Sequence, residues 1–503
     1  GGGINSPRPA SQRAAALVLT AAMLTTLTAP AFAKTWYIEE GDITISAGKT
    51  EGTNKVTQGT TTDEEDTNTT ITNRDKDTPS SNTVTIKAEN ENDKVEVKLE
   101  DVNIDASSRS EAAVSVTGKG DTTIELDGDN ELKSGAGHAG LEHNKTDTSG
   151  ELTIQDKDNN GSLEAAGGFK GAGIGSAGSN DAQVKITGGN ITATSDDWGA
   201  GIGSGSYGTG TVEITGGEIN ATGGYLGAGI GGGCNGSGNV TISGGTIIAA
   251  GSDGAAGIGG GYYNGATVTI TGDAVIKNAS STKYGAGIGG GNGSDGNVTI
   301  SGNAKIENAT GGYGAAGIGG GAFSSPDKIG NGNVVIKDNA KIDNVQGGAY
   351  GAGIGGGIYG LSNVTIEGNT KVNATGGAGG AAIGGGAGAE NNSDNNGNQI
   401  TIKSNENGSP TINAVGGGTD EGEKIVIGGA GIGAGCESDA DADITLEGKV
   451  TITATAGKDN VAIGANGIEQ EFSGLAEGSS ITRSDSAVSY THLRAHETLA
   501  NLV

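Results

Sequence analysis

The stretch Tyr284-Gly285-Ala286-Gly287-Ile288-Gly289-Gly290-Gly291, followed by Gly296-Asn297-Val298-Thr299-Ile300-Ser301-Gly302, decides how the rest of the chain is read. Looser copies of this two-part phrase recur from about residue 170 to 465. They align on the isoleucine of the first part: Ile174, Ile202, Ile230, Ile258, Ile288, Ile318, Ile354, Ile383, Ile432 and Ile463. The spacings are 28, 28, 28, 30, 30, 36, 29, 49 and 31 residues. A near-constant period of this size, with one short apolar unit per copy, marks a solenoid whose turns bury their inner faces only against their neighbours.

Each period offers three strand segments separated by glycine corners. The first is the Ala-Gly-Ile-Gly element. In the second, pairs such as Val212/Ile214, Val240/Ile242, Val298/Ile300 and Val334/Ile336 point one way and the residues between them point the other. The third is shorter, as in Ile219-Asn220-Ala221. Three strands and three corners per turn, stacked in parallel, make a β-helix. The 30-residue copies lengthen the third segment by two residues, Ala304 to Thr310 replacing Glu218 to Thr222, which keeps the inward side chains inward. The longest copies place surface loops at Ala322 to Lys328 and at Glu390 to Gln399, where a solenoid carries its binding specificity.

Composition agrees with an all-β chain. Glycine fills 101 of 503 positions without the strict third-residue period of collagen, and it clusters around β-branched residues as turns do between short strands. The net charge of −29 opposes nucleic acid and anionic membrane surfaces as partners. Cys234 and Cys436 each follow a repeat isoleucine by four residues, six copies apart. At ~4.8 Å per copy they stand roughly 29 Å apart, too far for a disulfide, so both are read as unpaired.

Residues 1–33 carry Arg8 and Arg13, an apolar run from Ala14 to Leu27 and Ala31-Phe32-Ala33. These are the parts of a secretory signal peptide cleaved after Ala33, and the run is too short for a membrane span. Residues 34–165 are expected to form an irregular β region capping the solenoid, 83–165 as less regular solenoid turns that begin the stack, with Asp63-Glu64-Glu65-Asp66 as a solvated loop and Ala139-Gly140-Leu141 as a degenerate first copy. Residues 166–466 are the regular repeats. From about Gly467 the period is lost, and Val488 to Thr498 resemble a translated sequencing adapter.

Aromatic residues stand at fixed offsets. Phe169, Trp198, Tyr225, Tyr284, Tyr313 and Tyr350 lie four or five residues before a repeat isoleucine, and Tyr207, Tyr262, Tyr263, Phe323 and Tyr359 follow one. Stacked one per turn, Trp198, Tyr225, Tyr284, Tyr313 and Tyr350 would form an edge ladder able to stack on sugar rings. Catalytic equipment is sparse. Polygalacturonases and pectin lyases use the same fold, and Asp196-Asp197 superficially resembles part of an acid pair. However, no arginine occurs between Arg109 and Arg483 and no histidine between His143 and His492, which leaves little to stabilise a uronate transition state. No catalytic residue and no metal ligand is assigned. Asp439 to Asp443 offers at most loose Ca²⁺ binding, and the outward Thr rows are interrupted by Lys and Glu, which argues against an ice-binding surface.

With its export signal, its Trp36-Tyr37-Ile38-Glu39 start and its repeated phrases, the chain resembles the glycine-rich repeat proteins of bacterial surfaces, right-handed parallel β-helix proteins often labelled carbohydrate-binding-domain-containing. The resemblance covers roughly residues 34–466. It implies a secreted or cell-surface, structural or adhesive protein without a cofactor. The implied partner is an extracellular glycan or other surface polymer. The alternative is a polysaccharide lyase or glycoside hydrolase of the same fold.

Overall fold

The computed structural model of the chain describes residues 33–393, 397–420 and 426–485, together with the backbone of 497–498. The leader, apart from Ala33, and most of the adapter-like end lie outside the described residues. The architecture is a parallel β-solenoid of about 14 turns, which at ~4.8 Å per turn is a shaft of roughly 65 Å.

The isoleucine column organises it. Within one coil the amide of Ala286 donates to the carbonyl of Gly290 at 3.0 Å, folding Ile288 into the apex of a tight inward bend. The Ile288 and Gly290 amides then donate to Gly317 and Gly319 of the next coil, each at 3.0 Å. All ten repeat isoleucines are fully buried, and each pairs in register with the next, as Ile258 does with Ile288 and Ile288 with Ile318. The glycine after each apex is required twice over. Gly289 sits at φ 139°, a backbone conformation closed to other residues. A Cβ there would also fall 2.0 Å from the Gly319 carbonyl oxygen.

The second face is the Val-x-Ile strand. Val240 pairs with Val268, Val268 with Val298 and Val298 with Val334, so identical side chains stack along one column. The third face stacks Ile191, Ile219, Ile247 and Ile276. The three columns form one continuous core cluster from Trp36 to Ile481.

The 30-residue copies differ from expectation in where the two extra residues go. Ile247 pairs with Ile276 but Ile248 pairs with Asn278, with a bulge between them. One residue therefore enters the corner before the strand and the other enters the strand. The bulge sets Lys277 and Asn278 against the single Ile248, which restores the alternation and keeps Ile276 and Ala279 buried.

The stack also begins earlier than the repeat. Leu141 pairs with Ile174, Val114 with Leu141, Val84 with Val114 and Ile43 with Val84, which extends the column beyond the ten copies of the phrase. These first coils replace the tight Ile-Gly bend by ordinary strands such as Val84–Ala88. The acidic run is not a loop. Thr61–Asp66 is a strand, antiparallel to Asn54–Gln58, which in turn is antiparallel to Ile43–Ala47. Asp63 to Glu65 are exposed while Asp66 is buried, its carboxylate accepting from Trp36 Nε1 at 2.7 Å. This hairpin occupies the free edge that the first coil would otherwise present. At the other end, beyond Gly467, Ser480–Ser484 adds one more parallel strand to the third face. There Arg483 bridges Glu469 at 2.5 Å and donates to the Gln470 carbonyl at 2.6 Å.

Both cysteines are free and buried, and burial pushes each thiol up to about 11. At pH 8 neither forms appreciable thiolate, so iodoacetamide should leave the native chain unlabelled and modify both sites once it is unfolded. Rapid labelling of the native chain would contradict this packing. Gly289→Ala should lower the midpoint of chemical unfolding by an amount equivalent to about 1–3 kcal/mol from backbone strain alone, and an unchanged midpoint would show that the coils are not in the close contact described.

Candidate functional site

The inward bend at each isoleucine forces two sharp corners, four residues before it and five after it. Both take left-handed backbone. The leading corner is Lys170, Trp198, Leu226, Tyr284 and Tyr350 at φ 65–71°, with Gly254, Gly314 and Gly379 in other coils. The trailing corner includes Tyr207, Asn235, Tyr263 and Tyr359 at φ 56–65°, with Gly293 and Gly388 in other coils. Left-handed backbone costs a non-glycine residue roughly 1–2 kcal/mol, so its recurrence at these two offsets is imposed by the coil.

Hydrogen bonds draw the corners together. The amide four residues after an isoleucine donates to the leading-corner carbonyl of the preceding coil: Cys234 to Trp198 at 2.7 Å, Ala322 to Tyr284 at 2.9 Å and Ala387 to Tyr350 at 2.9 Å. The two aromatic rows that the sequence presents as an edge ladder and a sparser companion are therefore neighbours on one surface.

The ladder itself is not continuous. Phe169 and Trp198 lie 5.2 Å apart at 42°. Tyr284, Tyr313 and Tyr350 form a second group with centroid distances of 6.2 and 5.6 Å at 82° and 76°. Tyr225, half exposed, accepts from the Trp198 amide through its carbonyl at 3.1 Å, but among the described residues its ring pairs with neither group, and Asp253-Gly254 leaves the next coil without a ring. Like does not stack on like, because the side chains alternate between two backbone positions. Trp198, Tyr284 and Tyr350 occupy the left-handed corner, whereas Phe169, Tyr225 and Tyr313 precede it by one residue. Adjacent tyrosines consequently meet edge to face, the arrangement their quadrupoles favour. In the trailing row Tyr262 and Tyr263 lie 3.7 Å apart, and Phe323 meets Tyr359 at 4.9 Å and 70°.

Lysine covers several of these rings. Lys170 Nζ lies 5.3 and 5.4 Å from the Phe169 and Trp198 centroids, Lys283 Nζ 4.8 Å from Tyr284 and Lys328 Nζ 5.0 Å from Tyr263. Toward the C-terminal end two cavities open instead. One of about 430 Å³ is bounded by Tyr313, Tyr350, Ile358, Tyr359 and Glu437. The other, about 370 Å³, is bounded by Phe323, Pro326, Asn331, Tyr359, Leu361 and Glu390. The first long surface loop supplies Phe323 and Pro326 to this second wall. Sequence spacing places the rings on the corners, but it does not identify the cavities, whose walls bring together residues as distant in the chain as Tyr313 and Glu437.

The remaining candidates do not converge. Asp196 and Asp197 are consecutive on the strand Asn190–Asp197, so their carboxylates point to opposite sides rather than facing each other across a shared bond. Asp196 is exposed, and Asp197 Oδ1 is buried without a hydrogen-bond partner. In the acidic loop near residue 440, the Asp441 carboxylate accepts from Asn391 at 3.1 Å and Asn466 at 3.3 Å. Among the described residues no three His, Cys, Asp or Glu side chains are placed to hold a metal ion, and no helix is long and apolar enough to cross a membrane.

Against known proteins, the profile of a beta helix repeat family matches residues 184–206, 212–234, 240–262 and 298–322. Each match runs from the first inward side chain of the Val-x-Ile strand, through the third face and the isoleucine bend, to the residue four beyond the isoleucine. It therefore captures one coil. No curated protein and no solved structure matches the chain. The fold is one that serves both enzymes and non-enzymes. On its repeat and its stacked coils together, the chain is a parallel β-helix repeat protein.

Proposed function

We propose that the chain is a secreted or cell-surface adhesive rod that engages extracellular glycans through its paired aromatic corners. The observation that carries this reading is the hydrogen bonding that brings the leading and trailing corners side by side, making one aromatic strip out of two sparse rows. Tyrosine presents an apolar ring with a polar rim, which suits the C–H faces and hydroxyls of sugars. The strongly acidic composition favours an uncharged or cationic extracellular polymer over nucleic acid. The leader-like residues 1–33 support export. The rigid shaft of roughly 65 Å would hold the strip away from its point of attachment.

An enzymatic alternative, a lyase or glycoside hydrolase acting on acidic polysaccharide, draws only on Asp196 and Asp197, whose side chains diverge. An array of immobilised glycans separates the readings. The full chain should retain a subset of glycans and release neither unsaturated nor reducing sugars from them. Tyr284→Ala combined with Tyr313→Ala should weaken that binding at least tenfold, about 1.4 kcal/mol. Turnover of an acidic polysaccharide, or binding indifferent to both substitutions, would overturn the proposal.

A further inference from the structure

We propose that Tyr359 is the point of contact and that the ligand is an uncharged hexopyranose oligosaccharide passing over it; this deepens the adhesive reading and rests on it. The two cavities share Tyr359 and Gly388, so the ring forms the ridge between them. Gly388 permits this. It is the trailing corner of the next coil, at φ 70°, and a Cβ there would lie 2.7 Å from Tyr359 Cε1. A bare corner lets the Tyr359 ring lean across onto its neighbour. Phe323, edge-on to the ring, fixes its orientation. Tyr359 and Tyr313 remain 43% and 51% exposed, leaving ring surface for a sugar in both directions.

Charge selects among sugars. Each cavity has one carboxylate in its wall, Glu437 in one and Glu390 in the other, and a carboxylate accepts hydrogen bonds from sugar hydroxyls. Among the described residues no lysine or arginine lines either cavity. The rings that do carry lysine, Phe169, Trp198, Tyr263 and Tyr284, line neither cavity. A uronate or sulfate at Tyr359 would meet like charge without compensation, whereas a neutral pyranose meets a ring and an acceptor. The pattern of an aromatic lining with a few placed polar groups is that of a small-molecule site.

The decisive substitution is Tyr359→Asn, because the fold already accepts asparagine at this corner: Asn235 holds the equivalent position at φ 56°. Tyr207→Asn, on the same row but outside both cavities, is the control. Soluble cellotetraose, mannotetraose and trigalacturonate would be titrated calorimetrically into the full chain, alongside an array of neutral and acidic oligosaccharides. The expected result is binding of neutral oligomers in preference to trigalacturonate, weakened at least tenfold by Tyr359→Asn and within twofold of unaltered for Tyr207→Asn. Neutral binding that survives Tyr359→Asn, or a preference for the uronate, overturns the assignment while leaving the adhesive reading standing. Absence of any glycan binding by the unaltered chain overturns both.

Discussion

The whole structure depends on how closely one coil can approach the next at the isoleucine bend. Where Ile288 turns inward, the amides on either side of it bond to carbonyls of the following coil, and the glycine that follows lies against that coil with no room for a side chain. Burial of isoleucine supplies the driving force, since a fully buried aliphatic side chain contributes about 1.5–3 kcal/mol. Glycine supplies the geometry. Neither suffices alone, and their adjacency in ten copies is why the phrase Ile-Gly is the most constant feature of the chain.

The surface follows from that constraint. A bend tight enough to bury an isoleucine must enter and leave through sharp corners, and these corners fall in left-handed backbone. Such a corner tolerates glycine without cost, but the chain places tyrosine there repeatedly, and tryptophan and lysine once each. The rings project outward, and the amide-to-carbonyl bonds between successive corners set the two rows next to each other. The aromatic strip is thus a by-product of core geometry that particular side chains have turned into a chemically distinct surface. Its lysine-covered part and its open part at Tyr359 differ in which residues fill equivalent positions and in the loop Ala322 to Lys328 that walls one cavity.

Much of this was legible in the sequence, and the exceptions have physical causes. The period, the three inward columns and the unpaired cysteines could be read because side chains of one type recur at fixed spacing. The first four coils were harder to read, since Ile43, Val84, Val114 and Leu141 take over the column without the glycine that marks it later. The strand Thr61–Asp66 carries four acidic residues with poor strand propensity and exists because Asn54–Gln58 offers it an edge. Periodicity alone does not separate a corner insertion from a bulge, so the sequence points to one segment for extra residues that the structure divides between a corner and a strand. The candidate site was legible as rows of rings but not as cavities. The difference between residues four and five before an isoleucine decides how rings meet, and the pairing of the two rows arises from hydrogen bonds between coils that leave no trace in side-chain spacing.

Native-state hydrogen exchange of the full chain, read by peptide mass spectrometry, tests the central claim most directly. Composition alone would make the Ala-Gly-Ile-Gly segments the most mobile in the molecule, because glycine favours backbone freedom. In the structure their amides are buried and bonded to the next coil, so the peptides spanning Ile230, Ile288 and Ile354 should exchange as slowly as the Val-x-Ile strands and far more slowly than the loop at Ala322 to Lys328. Exchange of those isoleucine segments at the rate of that loop would contradict the account.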